Sequence, residues 1–215
     1  MTALIETVRI RDGRAPLWPL HMKRLERSAG ELRIRLPELP EPRGGDDRII
    51  RYEIGSDGGW QVTERDVPPG QSVALATSPA PHRGYPHKIA DRGWLEAARL
   101  TVQQLGADDA LLLDTAGAVV EATIWTLAWW DEELLTFPPL ELGGLPGVAR
   151  ARLAETARGG IREAVIRREE LSWRSLVVCN AARGLIPVHS LDGEPVPANF
   201  RTPVVAERFW RRRSG

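Results

Sequence analysis

Apolar residues recur along the chain with two different periods, and these periods predict where strands and helices lie. Residues 3–10 and 14–18 predict a pair of strands around Asp12-Gly13, a dipeptide that supplies the positive φ of a tight hairpin. Further along, apolar residues are spaced by three and four, as on one buried helix face, at Met22, Leu25, Ala29, Leu32 and Leu36. This spacing predicts a helix that stops before Pro37.

Breaker residues and further strands complete a first structural unit. Residues 37–45 are too rich in proline and glycine for regular structure and indicate a loop. Beyond this loop the pattern predicts three strands, at 47–54, 60–66 and 72–78. We therefore expect a small α+β unit over residues 1–80, followed by a proline-containing linker at 81–87.

The remaining residues, 88–215, predict a larger unit of the same kind. Helices are expected from Trp94 to Gly106, from Pro146 onwards, and from about Pro203. Strands are predicted between them, at 110–113, 119–130, 134–137, 163–167 and 176–180. The chain as a whole is therefore expected to be an α+β protein of two lobes.

The charge balance narrows the classes of partner. The chain carries 29 basic and 29 acidic residues among 215, so it lacks the net positive charge typical of proteins that bind nucleic acid or anionic membranes. Its longest strongly apolar stretch, residues 123–130, is too short to span a bilayer. The single cysteine, Cys179, excludes an internal disulfide and agrees with a reducing compartment. We expect a cytosolic protein that binds neither nucleic acid nor membrane.

The sequence lacks several common catalytic signatures. It contains no phosphate-binding loop with a lysine, no Gly-x-Gly-x-x-Gly, no paired-histidine metal motif and no Gly-x-Ser-x-Gly elbow. The four histidines are scattered singly, which favours solvated or satisfied side chains. Cys179 lies within an apolar strand, where a buried hydrophobic residue is expected rather than a nucleophile.

Lys88 is a candidate for chemistry, because among 29 basic residues only it and Lys23 are lysines. Arginine can replace a lysine that serves only as a positive charge, but it cannot form a Schiff base. A lysine amine condenses with aldehydes, and its pKa falls on desolvation. Lys88 lies at the entrance to the helix predicted from Trp94, where a loop could present it to a cofactor. A surface residue is the alternative interpretation.

Three features could bind the phosphate of an aldehyde cofactor. Residues 143–147 precede a helix whose first amides, near Val148, combine with the helix dipole into an anion site. A second turn, at residues 180–184, could offer more amides to the same anion. Arg24 falls one position off the apolar face of its helix and could reach a phosphate, although an ordinary solvated arginine is the alternative.

Glu121 begins a strongly apolar strand, and a carboxylate in such a strand needs a partner if it is buried. The nitrogen of a protonated pyridine ring would be such a partner. An exposed glutamate at a strand end is the alternative. Together with Lys88 and the candidate phosphate groups, Glu121 is compatible with a phosphorylated pyridine aldehyde as cofactor.

Seven motifs occur in order along nearly the whole chain: Leu4-Ile-Glu-Thr-Val-Arg9 followed by Asp12-Gly13, His21-Met-Lys-Arg-Leu25, His87-Lys88 with Arg92, Ala107-Asp-Asp-Ala-Leu-Leu-Leu-Asp114, Val120-Glu-Ala122, Leu145-Pro-Gly147 and Val178-Cys-Asn180. In this order they resemble the class IV aminotransferases. These fold-type IV pyridoxal 5′-phosphate enzymes include branched-chain and D-amino-acid aminotransferases and 4-amino-4-deoxychorismate lyase. The resemblance implies their two-lobed fold, their cofactor and a homodimer.

The resemblance also implies the roles of the residues around the cofactor ring. Lys88 would form the Schiff base, and Glu121 would keep the pyridine nitrogen protonated, which makes the ring an electron sink. Arg92 would lie near the phenolic side of the cofactor.

The phosphate and the substrate side of the site are assigned in the same way. Arg24 and the amides of Val148 and Ala149 would bind the phosphate. Asn180 and Ala181 would form a turn that closes over both phosphate and substrate.

Two features favour the lyase within this family. Thr7 stands where the lyases carry a hydroxyl that assists proton transfer, and residues 178–181 are similar to the lyase version of the last turn. The resemblance therefore implies conversion of 4-amino-4-deoxychorismate into 4-aminobenzoate and pyruvate, in the synthesis of a folate precursor. A class IV aminotransferase acting on branched-chain or D-amino acids is the alternative.

Some positions depart from the family pattern. Ala149 and Ala181 stand where many relatives have threonines that donate to phosphate, and Thr126 replaces the usual asparagine. Relatives also carry a longer segment before Glu6. We expect the two alanines to weaken cofactor retention and the shortened N-terminus to remove part of the substrate wall. Together they motivate a second alternative, a catalytically degenerate paralogue that serves as a binding or partner subunit.

Overall fold

The computed structural model describes residues 2–157 and 159–211, and these form two β-sheets and four α-helices. The first part of the chain forms a three-stranded antiparallel sheet in the order β1-β2-β3, together with one helix. Its elements are β1 (Leu4–Ile10), α1 (Trp18–Leu32), β2 (Arg48–Ile54) and β3 (Trp60–Asp66). Met1, in the first predicted unit, and residues 212–215, in the second, lie outside the described residues.

The rest of the chain builds a nine-stranded sheet with three helices. Its elements are β4 (Val73–Thr77), α2 (Gly93–Gln103), β5 (Asp109–Leu113), β6 (Val119–Ala122), β7 (Thr126–Asp131), β8 (Leu134–Phe137), α3 (Val148–Thr156), β9 (Ile161–Glu163), β10 (Leu176–Asn180), β11 (Gly184–Leu191), β12 (Glu194–Pro195) and α4 (Arg201–Trp210). The strand order is β6-β5-β4-β11-β10-β7-β8-β9, and β12 pairs with β11. Parallel pairing joins β4 to β5 and β11, and β8 to β9. The α+β class predicted from the sequence is confirmed.

The small sheet has two different faces because successive strand residues point to opposite sides. On β1, Leu4, Val8 and Ile10 pack against the apolar face of α1. Residues 5, 7 and 9 belong to the other face. The small sheet therefore buries one side under α1 and leaves the second side for contacts with the rest of the molecule.

Helix α1 ends earlier than its apolar spacing predicts. Arg33 follows the last turn with a left-handed φ of 55°, and the amide of Ile34 donates to the carbonyl oxygen of Ala29. This is the hydrogen bond that closes a helix in a left-handed cap. Leu36 consequently lies beyond the helix, but it still packs against the same apolar cluster.

The strand predicted at 14–18 is wrong. The turn at Asp12-Gly13 is present, with positive φ at both residues, but the pairing after it is limited to Arg14 with Arg11. Helix α1 already starts at Trp18, and Pro19 occupies its first turn, where a missing amide hydrogen costs nothing. The partner of β1 is instead β2, which follows the 37–45 loop.

The single strand predicted at 119–130 is interrupted. Residues 123–125 bend between β6 and β7, because the buried carboxylate of Asp109 accepts the hydroxyl of Thr123 and the amide of Ile124. Hydrophobic periodicity carries no signal for this polar bend.

Strand β11 was missed, and the strand predicted at 163–167 is instead β9, at residues 161–163. Strand β11 lies inside the sheet between β4 and β10 although it contains Pro187, which argues against an interior strand. Its pairing with β4 shifts register between Val188 and Ser190, so the ladder is irregular there.

The structure places the strand predicted at 72–78 differently from the sequence. Strand β4 pairs within the nine-stranded sheet and not with the small one. The residues expected to form a linker, 81–87, include the buried side chains of His82 and Tyr85. The division of the chain into units of 1–80 and 88–215 stays a prediction. Within the described ranges, none of the helices has the length and apolar character needed to cross a membrane.

We expect Leu111→Ala to lower the free energy of unfolding by about 2–5 kcal/mol, as is typical for a leucine truncated in a packed core. Leu111 is fully buried on β5 among Leu127 and Val178. Urea denaturation provides the measurement. Leu105→Ala is the matched control, because Leu105 is 76% exposed, and we expect a change within about 0.5 kcal/mol. Equal effects of the two substitutions would contradict this description of the core.

Candidate active site

A cavity of about 240 Å³ has walls from both sheets. The small sheet and α1 supply one side, and the β6–β7 bend, the start of α3 and the β10–β11 turn supply the other. All of the site residues predicted from the sequence line this cavity: Thr7, Arg24, Lys88, Arg92, Glu121, Val148, Ala149, Asn180 and Ala181. Their roles stay predictions, but the structure brings them to one place.

Backbone hydrogen bonds to the first strand hold the segment of Lys88 in the cavity wall. The carbonyl oxygen of Lys88 accepts the amide of Ile5 on β1 at 2.8 Å, and Ala90 donates to Ala3 at the same distance. Burial disfavours the ammonium form, and the guanidinium groups of Arg92 and Arg24 disfavour it further. Together they lower the pKa of Lys88 to about 7. A large fraction of this amine is therefore neutral and nucleophilic near neutral pH.

Glu121 is buried at the end of β6, and both of its carboxylate oxygens are held. Oε1 accepts a hydrogen bond from Nε2 of His82 at 3.0 Å, and Oε2 accepts the amide of Leu145 at 3.0 Å. The amide of Gly84 donates to Nδ1 of His82, so the ring proton lies on Nε2. The alternative of an exposed strand-end glutamate is wrong, because the apolar strand is buried here and these two donors compensate the carboxylate.

Arg24 is buried and fixed by Glu6 on the facing strand. Nε and Nη2 of Arg24 donate to the two carboxylate oxygens of Glu6, at 2.8 and 2.5 Å, and His21 Nδ1 lies 2.6 Å from Oε2. Burial opposes ionisation of Glu6, but Arg24 and His21 outweigh it and lower the pKa of Glu6 to about 2. Burial also lowers the pKa of His21. The alternative of a solvated Arg24 is therefore wrong.

Helix α3 begins at the cavity without a side-chain cap. Gly147 is its N-cap residue, and the first helical residues, Val148 and Ala149, are buried in the cavity wall. A Cβ at Gly147 would lie 2.9 Å from Oγ1 of Thr126, so a larger residue would collide with β7. The uncapped amides of this first turn lie where the sequence predicted an anion-binding element, although the helix starts after Pro146, and that role stays a prediction.

The turn after β10 uses the side chain of Asn180 for its own structure. Oδ1 accepts the amides of Ala182 and Arg183, at 3.1 and 2.8 Å, and Nδ2 donates to the carbonyl oxygen of Ile124. Asn180 thereby ties this turn to the β6–β7 bend across the cavity.

Cys179 also lines the cavity, but its environment favours the protonated thiol over the thiolate. The thiol is fully buried, and burial raises its pKa to about 12. The prediction of a buried hydrophobic residue is confirmed.

Sequence reasoning missed several residues of this site. His82 was one of the singly scattered histidines, and only the fold places it against Glu121. Arg51 on β2 and Arg65 on β3 line the cavity, although nothing in their local sequence distinguishes them from other arginines. Thr126 stands out in the sequence as a departure from the family pattern, but only the structure shows its position, with its hydroxyl beside Gly147.

Comparison with known proteins agrees with this geometry. A family profile described as amino-transferase class IV matches residues 59–191, which is more than half of the chain. The chain therefore belongs to the aminotransferase class IV family.

Solved structures share the fold along most of the chain. An amino-acid aminotransferase from Mesorhizobium loti, provisionally assigned, is 26% identical, with a TM-score of 0.77 over 88% of this chain and 100% of its own. A PLP-bound hypothetical aminotransferase from Mycobacterium tuberculosis is 23% identical, with a TM-score of 0.81 over 96% and 87%. A provisionally assigned 4-amino-4-deoxychorismate lyase from Legionella pneumophila is 21% identical, with a TM-score of 0.80 over 95% and 88%.

The family and these structures confirm the fold-type IV architecture expected from the motifs. The family match also confirms that the chain is an aminotransferase or lyase of class IV with pyridoxal 5′-phosphate as its cofactor.

We expect Lys88 of the cofactor-free protein to react with trinitrobenzenesulfonate with a midpoint near pH 7, because burial and two arginines disfavour its charged form. An ordinary lysine has a pKa of about 10.4. Modification at a series of pH values, measured by mass spectrometry of peptides, gives the midpoint directly. Lys23, exposed on α1, serves as the internal control. A midpoint for Lys88 at the ordinary lysine value would contradict the expected environment.

We expect Glu6→Gln to lower the free energy of unfolding at neutral pH by about 3–5 kcal/mol, because it leaves the buried Arg24 without its counter-charge. The pKa of Glu6 falls from 4.5 to about 2 on folding, so its contribution is complete above pH 4.5 and is lost as the pH falls through 2. The difference between variant and wild type should therefore shrink over that interval in urea denaturation. Glu207→Gln, which removes an exposed pair with Arg211, should change stability by less than about 1 kcal/mol at any pH.

Proposed function

We propose that this protein is a pyridoxal phosphate-dependent lyase that converts 4-amino-4-deoxychorismate into 4-aminobenzoate and pyruvate. The observation that carries the proposal is that Thr7 and Lys88 line one cavity, where the backbone of β1 is hydrogen-bonded to the segment that bears Lys88. A hydroxyl and an amine of lowered pKa are the two proton-transferring groups that this elimination requires.

The cavity fits pyridoxal phosphate by the chemistry of its donors. Arg24 and the uncapped amides at the start of α3 would bind the phosphate, since Glu6 occupies Nε and Nη2 of Arg24 and leaves Nη1 as a further donor. Glu121 offers a buried carboxylate to a protonated pyridine nitrogen. Lys88 supplies the amine that a 4-aldehyde group requires.

Two side chains of the protein move protons in the proposed reaction. Bound pyridoxal phosphate supplies an electron sink for negative charge on the carbon that carries the substrate nitrogen. The neutral amine of Lys88 removes the proton from that ring carbon. The bond between the ring and the enolpyruvyl oxygen breaks, which leaves an aromatic ring, and the hydroxyl of Thr7 donates the proton that the departing enolpyruvate takes up as it becomes pyruvate.

An amino-acid aminotransferase is the second candidate, and the similarity to the Mesorhizobium loti protein favours it. In that reaction Lys88 would remove the proton from the α-carbon of an amino acid and perform the 1,3-proton shift between amino acid and 2-oxo acid, and Thr7 would have no leaving group to protonate. The two candidates therefore differ in their dependence on Thr7.

We expect the wild-type protein to release 4-aminobenzoate from 4-amino-4-deoxychorismate, and Lys88→Ala to lower that rate by at least about 10²–10⁴-fold, the usual contribution of a general base. Thr7→Val should lower the rate while leaving cofactor binding intact. The assay measures 4-aminobenzoate by fluorescence and amino transfer to 2-oxoglutarate in parallel. Lys23→Ala is the matched control and should retain full activity. Amino transfer without an aromatic product would exclude the lyase and leave the aminotransferase.

The same protein samples test whether this protein is a catalytically degenerate paralogue. Ala149 and Ala181 offer no hydroxyl to the phosphate, so we propose weaker cofactor retention than in a relative with threonines there. A visible absorption band after addition of pyridoxal phosphate, absent from Lys88→Ala, would exclude a paralogue that has lost the cofactor. A protein that stays colourless would support it. The homodimer and the cytosolic location expected from the sequence also stay proposals.

A further inference from the structure

His82 is a buried side chain that takes no part in the proton transfers described above, although it contacts the carboxylate of Glu121. Its side chain is 1% exposed, and Nε2 donates to Oε1 of Glu121 at 3.0 Å. The backbone of this segment is bound to the large sheet, because the amide of His82 donates to the carbonyl oxygen of Leu113 on β5 at 2.7 Å. A residue that the sequence placed in a linker is therefore fixed against a carboxylate of the cavity.

The backbone around His82 selects the neutral form of its ring. The amide of Gly84 donates to Nδ1 at 3.0 Å, so Nδ1 presents a lone pair to it and carries no proton. A proton on Nδ1 would point one N–H group at another, and a buried donor without an acceptor is unfavourable. An imidazole that accepts at Nδ1 and donates at Nε2 has no charge. Glu121 therefore receives a hydrogen bond from His82 but no positive charge.

Packing holds the ring of His82 on its other sides. Trp94 on α2 packs against it in a T-shaped arrangement, with the ring centroids 5.4 Å apart. Gly143 lies against the same segment, because a Cβ there would lie 3.1 Å from Cα of Gly84 and 3.8 Å from Nδ1 of His82. These contacts leave the ring little freedom to turn away from Glu121.

The negative charge of Glu121 is left for a ligand. Its two hydrogen-bond donors are the neutral imidazole and the amide of Leu145, whereas a carboxylate offers about four lone-pair positions. Within residues 2–157 and 159–211, no lysine or arginine forms an ion pair with it. An arginine in the place of His82 would donate the same hydrogen bond but would also cancel the charge that attracts a pyridinium ring.

We propose that His82 is a positioning residue, which holds the carboxylate of Glu121 in the orientation that binds the protonated pyridine nitrogen of the cofactor. His82 fixes Oε1, the amide of Leu145 fixes Oε2, and both donors are neutral. Loss of His82 would free the carboxylate to rotate and would leave one buried oxygen unpaired. This role concerns the cofactor, so it does not depend on the choice between lyase and aminotransferase.

Two ligands that differ at one ring atom test this role without any reaction. One is pyridoxal phosphate, and the other is its carbocyclic analogue with C–H in place of the ring nitrogen. Both carry the aldehyde for Lys88 and the phosphate, so the contact with Glu121 is what distinguishes them. Dissociation constants for the cofactor-free protein are measured by quenching of tryptophan fluorescence, since Trp125 lines the cavity. Circular dichroism reports whether each variant is folded.

We expect His82→Leu to raise the dissociation constant of pyridoxal phosphate by about tenfold or more, the usual effect of one charge-assisted hydrogen bond. The constant of the carbocyclic analogue should change less than about twofold. His82→Gln should stay close to wild type for both ligands, because its amide supplies a neutral N–H donor. In Glu121→Gln, the further change His82→Leu should not alter the ratio of the two constants, because the carboxylate through which His82 acts is gone.

His189→Leu is the matched control, because His189 is exposed on β11 and does not line the cavity, and both constants should stay unchanged. If His82→Leu does not fold, His82→Asn takes its place, since the shorter amide side chain does not reach Oε1 of Glu121. The expected selective loss of affinity is the same for this variant.

Equal losses of affinity for the two ligands would overturn the positioning role, because they would show that His82 only shapes the cavity. Unchanged affinities would overturn it too, and so would a selective loss that His82→Gln shares. A selective loss that is absent from His82→Gln and from the Glu121→Gln background would support it. Release of 4-aminobenzoate by the loaded wild type is scored separately, so failure of the lyase and failure of the positioning role are distinguished.

Discussion

The buried ion pair between Glu6 and Arg24 is the interaction on which the site depends. It crosses from β1 to α1 inside an otherwise apolar contact, and a buried charge without a partner would be strongly unfavourable. The pair therefore defines how the helix lies on the sheet. It also holds the arginine side chain at the cavity wall, and β1 in turn holds the backbone of Lys88. The same interactions therefore pack α1 on the small sheet and place two proposed cofactor contacts, Arg24 and Lys88.

A second set of buried polar groups shapes the opposite wall. The hydrogen bonds that Asp109 accepts bend the chain between β6 and β7. Burial raises the pKa of its carboxyl to about 6, although these hydrogen bonds act to lower the pKa. Glu121 stands just before that bend, held by His82 and by the amide of Leu145. Segments distant in sequence thus meet at one carboxylate. Each of these groups is satisfied by hydrogen bonds, which makes their positions well determined.

The charge of the cavity differs from the net charge of the whole chain. The chain has no net charge, but most of the charged side chains that line its cavity are basic. This lowers the pKa of the lysine amine and favours anionic ligands at the same time. The phosphate of the cofactor suits the same field that lowers the pKa of Lys88.

The sequence by itself determined the α+β class, most helices and strands, the family resemblance and nine of the residues that line the cavity, because hydrophobic periods and ordered motifs are local signals. It could not predict the bend after Glu121, the interior strand containing Pro187, or the placement of β4 in the large sheet, because each depends on a partner far along the chain. His82, Arg51 and Arg65 carry no local signal at all. Only the tertiary structure brings the two arginines to the cavity and His82 to Glu121, since burial, pairing and net local charge are properties of neighbours in space.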